Sequence, residues 1–125
     1  MKLKEFNEEH KYALINALKK LAAVFSRFIL NTEYQSMHNE FKPYDDLSES
    51  LLFVVKKIQE LDKFFMPNSA ENVKLECYHM HLTDQFERRI PINNFINFIE
   101  IVCKDCLNMT ADAIEAIQYS KKNGI

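Results

Sequence analysis

The sharpest chemical candidates in this chain are sulfur and imidazole groups. Cys103-Lys104-Asp105-Cys106 has the CxxC spacing, and Cys77 stands four residues before His81. Two sulfurs at that spacing suit dithiol exchange or metal binding. Exchange of the thioredoxin kind needs the pair at a helix amino terminus, where the dipole lowers the thiol pKa. Here the pair lies late in a helical pattern, where the dipole opposes thiolate, so the redox reading fails. Zinc is the better chemistry. On a helix, Cys77 and His81 share a face one turn apart, and with Cys103 and Cys106 they make a three-thiolate, one-imidazole set that zinc accepts. On a strand, Cys77, His79 and His81 would share a face instead. Against zinc stands packing: Cys103 and Cys106 both fall among apolar residues, where cysteine serves as a small buried hydrophobe. Packing is the favoured reading, and zinc is the only cofactor the sequence suggests.

The element that positions the CxxC pair runs from Pro91 to Met109. At about 100° per residue, Asn93, Asn97, Glu100, Lys104 and Asn108 make one polar stripe. Ile92, Phe95, Ile96, Phe98, Ile99, Val102, Cys103, Cys106, Leu107 and Met109 fill an opposite arc of roughly 180°, wider than the ~100° a surface helix needs. This central helix therefore packs against more than one neighbour.

The other segments also read as helices. From Leu3 to Leu30 the apolar residues Leu14, Leu18, Leu21, Phe25 and Phe28 share a face, with His10 placed among them as a core histidine. Leu30, Tyr34, Met37 and Phe41 then form a stripe pointing nearly the other way. A break near Asn31 is expected, because Thr32 and Gln35 resemble a capping box, with a short helix to about Glu40. The alternative is one long helix whose far end packs on a second subunit. After Pro43, Leu47, Leu51, Val54, Val55, Ile58, Leu61 and Phe65 line the next helix, and Phe53 and Phe64 sit together on its polar side. Asn68 or Ser69 caps the segment from Ala70. That segment carries two opposed stripes, Val73/Cys77/Met80 and Leu75/Leu82/Phe86, which suits an element sandwiched between neighbours. Near Asn108 to Thr110 the central helix is expected to end, with Thr110 capping a last helix to about Lys122.

A 125-residue chain with 47% hydrophobic and 27% charged residues reads as one globular domain, residues 1–125, able to bury a core without crosslinks. The expected fold is all-α: a compact bundle of four main helices plus a short one, with residues 91–109 at its centre. One glycine leaves little material for hairpins or phosphate loops. The serine-elbow, HExxH, glycine-rich nucleotide-loop and EF-hand signatures are missing. A net charge of −2 without a basic half does not favour nucleic acid, and no apolar run approaches the ~18 residues of a membrane span. Three cysteines without an export signal point to a reducing cytoplasm.

By elimination, the expected function is a non-enzymatic protein–protein interaction module: an adaptor, regulator or chaperone, or a homodimer. Tyr34, Met37, Phe41, Phe53 and Phe64 are its candidate contact residues. The alternatives are a zinc-binding helical protein and, third, a nucleic-acid-associated regulator built on Lys19-Lys20, Lys56-Lys57 and Arg88-Arg89.

Overall fold

Long helices form where proline and glycine are absent, since these residues alone interrupt the backbone ladder strongly. The computed structural model describes residues 2–5, 7–37 and 44–123, with side chains for all of these except 8, 32–37, 44–48, 93 and 121–123. Four helices account for most of it: α1, Lys11–Met37; α2, Tyr44–Asp62; α3, Ala70–Glu87; and α4, Ile96–Asn123. Short 3₁₀ turns at Glu8–His10 and Ile92–Asn94 lead into α1 and α4. Lys11 Nζ donates to Ser120 Oγ at 3.1 Å, which sets the start of α1 beside the end of α4 and makes them an antiparallel pair. α2 and α3 form a second pair, and α2 also touches α1 and α4. The result is the expected all-α bundle.

Several boundaries differ from the sequence reading, the first being that the helical pattern expected from Leu3 becomes α-helix only at Lys11. α1 continues past Asn31 to Met37, so the Thr32–Gln35 capping box does not operate. α4 likewise runs through Thr110, whose hydroxyl donates to the Cys106 carbonyl at 2.8 Å inside the helix instead of capping a new one. A threonine within a helix can satisfy itself this way, so a cap-type residue marks no end unless the backbone also leaves helical geometry. At its start, α4 begins five residues after Pro91. Pro91 is extended (φ −55°, ψ 130°) and Phe95 leaves helical geometry at φ −133°, so Ile92–Asn94 forms a separate turn.

The core draws on every helix. Leu14, Ile15, Leu18, Leu21, Phe25 and Ile29 come from α1, and Leu51, Val54, Val55, Ile58 and Leu61 from α2, followed by Phe65. α4 gives Ile99, Val102, Cys103, Cys106, Met109, Ala113 and Ile117, with Ile92 and Phe95 just before it. α3 adds only Leu75 and Leu82. His10 is exposed rather than in the core, because the chain around it is a 3₁₀ turn whose amide is held by Asn7. The amino-terminal residues lie along the end of α2: Lys4 N–H donates to the Phe64 carbonyl at 3.0 Å, and Met66 N–H to that of Lys2 at 2.9 Å.

Both ends of α3 are closed by local chemistry. Ser69 Oγ accepts the Asn72 amide at 3.2 Å and donates to the Met66 carbonyl at 2.7 Å. The preceding Asn68 holds φ 65°, a conformation asparagine tolerates better than most residues. At the other end Arg89 N–H donates to the Phe86 carbonyl and Ile90 N–H to that of Gln85, the paired bonds of a Schellman stop. Arg89 occupies the left-handed position, φ 53°, that glycine usually takes.

Candidate functional site

The four sulfur and imidazole residues do not converge. Cys103 and Cys106 point into the core, and both are fully buried between α4 and its neighbours. Cys77 and His81 are exposed on α3, and the His81 ring packs edge-on to Phe98 with centroids 4.8 Å apart. Among the described residues no three His, Cys, Asp or Glu side chains are grouped so as to hold a metal ion. The structure thus leaves Cys77 and His81 of the zinc set apart from Cys103 and Cys106, which pack in the core. Burial, and then the Glu100 carboxylate, push the Cys103 thiol up to about 12. Burial raises Cys106 further, with Cys103 and Asp105 adding to it. These are inert thiols.

The candidate contact residues also separate. Phe53 is 48% exposed, with the Lys57 ammonium 5.0 Å over its ring. Phe64 is partly buried and packs against the core, and its carbonyl accepts the Lys4 amide. The two do not form one free aromatic pair. Phe41 lies outside the described residues, as do the side chains of Tyr34 and Met37. Leu30, the first member of their stripe, is 64% exposed on the unbroken α1.

The largest departure from the sequence reading is on α3. Its two apolar stripes were expected to face two neighbours. Leu75 and Leu82 are buried and Phe86 is half-buried against the core. The opposite stripe faces solvent: Val73 is 48% exposed, Met80 is 70% exposed, and Cys77 between them is exposed. At ~100° per residue these three line up within about 60° of arc, directly across the helix from Leu75 and Leu82. Asp84 follows one turn after Met80, near Arg88 at 3.6 Å.

A groove of about 310 Å³ runs between α2 and α3 along one border of this stripe. Ile58, Leu75 and Met80 give it apolar walls, and Asp62, Glu76 and His79 give it polar ones. Its two carboxylates are tied by Asn72, a buried side chain whose amide donates to Asp62 Oδ1 at 2.7 Å and to Glu76 Oε1 at 3.5 Å, and whose oxygen accepts the Asn68 amide at 2.9 Å. Partial burial raises the Asp62 carboxyl above its ordinary range. The Asn72 bond works against that, the Glu76 charge adds to it, and Lys4 and His79 oppose it. One turn beyond His79, Thr83 Oγ1 is buried without a hydrogen-bond partner. The other border of the stripe is neutralised: Asp105 on α4 takes a hydrogen bond from Tyr78 Oη at 2.7 Å and pairs with Lys74 at 3.2 Å.

Sequence reading found the stripe residues but gave them a neighbour that is not found among the described residues. It missed the groove, because Asp62 and Glu76 lie on different helices and only the folded hairpin brings them together. No helix among the described residues is long and apolar enough to cross a membrane. The chain matches no family model, no curated protein and no solved structure.

Proposed function

We propose that this chain is a non-enzymatic protein–protein interaction module, an adaptor, regulator or chaperone, and that α3 is its contact helix. The observation that carries the reading is the Val73–Cys77–Met80 stripe, left in water on the helix face opposite the core. Apolar side chains spaced i, i+4, i+7 are the anchors by which one helix docks on another surface. The test is co-purification from the native lysate with Met80→Glu beside the wild type. A partner held by the wild type and lost by the variant, with helicity unchanged, supports the reading. Partners retained equally by both remove α3 from it.

A second copy of the chain is the other reading of the partner, favoured by one observation: Leu30 is exposed on an α1 that continues unbroken to Met37. Sedimentation at micromolar concentration tests it, and a monomer there refutes it.

A further inference from the structure

We propose that the occupant of the α3 face is a basic amphipathic helix of another protein, its apolar side chains seated on Val73, Cys77 and Met80 and a lysine or arginine meeting Glu76 and Asp62 at the mouth of the α2–α3 groove. The proposal rests on the interaction reading above and adds the chemistry of the partner. Three features point to it. Met80 belongs both to the exposed stripe and to the groove wall, so apolar and acidic surfaces are continuous. The groove itself is lined by carboxylates: Asp62 and Glu76, both taking hydrogen bonds from the Asn72 amide. Exposed Glu87 extends the same border by helical position and Asp84 stands at the stripe's end, while exposed Lys56 and Lys63 of α2 stand nearest Gln59 by helical position. Lys4 and His79 act on Asp62 from nearby, and Arg88 lies by Asp84. On the far border, Lys74 is already held by Asp105. A partner that brings cations on one edge of an apolar helix face matches this pattern, and an acidic one is repelled.

The probe is a synthetic Leu/Lys amphipathic helix of about 14 residues, long enough to cover the stripe at 1.5 Å per residue. It is titrated calorimetrically into the full chain beside a Leu/Glu counterpart and a Gly/Lys peptide of equal charge. Saturable binding of Leu/Lys alone is expected. Glu76→Gln should weaken it several-fold and Met80→Glu tenfold or more. The second variant is decisive because it adds negative charge, so simple electrostatic attraction would tighten binding instead. Equal binding of the Gly/Lys peptide, or unchanged binding by Met80→Glu, overturns the proposal. Binding of Leu/Glu as tight as Leu/Lys overturns the basic partner but leaves the contact face standing. Self-association of the wild type that Met80→Glu abolishes would make the occupant a second copy and overturn the proposal too. Failure of the interaction reading itself looks different: the lysate partner stays with Met80→Glu.

Discussion

α4 and α3 are neighbours in sequence and both carry more apolar surface than one helix face needs, yet the bundle treats them differently. α4 turns most of its apolar arc inward, so even its cysteines become core atoms, while Ile101 and Tyr119 stay exposed. α3 carries apolar stripes on two opposite faces, and only Leu75 and Leu82 find a core. Periodicity states which residues share a face. How many faces are covered depends on how many helices stand around that element, and α3 is at the edge of the bundle, with α2 as its main neighbour. An inward helix can take its stability from burial. An edge helix must draw more of it from caps and polar ties, and its spare apolar face remains available.

The widest gap between the two helices should appear in their thiols. Cys77 is exposed, whereas Cys103 and Cys106 are enclosed and burial holds them protonated well above neutral pH. Mass spectrometry after alkylation of the native protein should show one label per chain, on Cys77. The other two should follow at least about a thousandfold more slowly, through opening of the fold. Alkylation of all three at similar rates would mean that α4 is not enclosed. The next contrast lies within α3. Leu82→Ala should cost about 2–5 kcal/mol in denaturant unfolding. Met80→Ala, on the other face, should stay within about 0.5 kcal/mol. Equal losses would place both stripes in a core and end the proposed contact role.

The same contrast explains what was legible in the sequence. The α2 face was readable, because Leu51, Val54, Val55, Ile58, Leu61 and Phe65 are all buried as their spacing requires, the side chain of Leu47 lying outside the described residues. So was the α4 arc: Ile99, Val102, Cys103, Cys106 and Met109 are buried together. The helix ends near Asn31 and Thr110 were misread because capping residues are local signals, while long stretches of α1 and α4 lie along each other and keep both helices going. Thr110 shows the mechanism, since its hydroxyl bonds within the helix. The α3 surface was half legible. Its stripe follows from spacing, but its exposure and the Asp62–Glu76 groove depend on which helices pair, information that no single segment holds.

If caps carry α3, removing one should be felt more than its size suggests. Ser69→Ala deletes the acceptor for the Asn72 amide and the donor to the Met66 carbonyl. A loss of about 1–2 kcal/mol is expected by thermal or denaturant unfolding, and no measurable change would show that the turn, not the cap, holds the helix start.

A smaller effect than the loss of the cap lies at the other end and has the opposite sign. Arg89 sits at φ 53° with its amide bonded to the Phe86 carbonyl, so its backbone is fixed there by the helix stop. A side chain in that conformation costs roughly 1–2 kcal/mol that glycine avoids. Glycine's freer unfolded chain offsets about 0.5–1 kcal/mol of the gain. Arg89→Gly should therefore stabilise the protein by up to about 1 kcal/mol, raising the melting temperature by a few degrees. Ile90, three residues after the helix and packed against the core, keeps the stop in register whether or not the arginine is present. The gain thus comes from backbone relief alone, and Arg89→Ala should show none of it. Stabilisation by Ala equal to that by Gly would mean that the arginine's charge, not its backbone, was the liability at the end of α3.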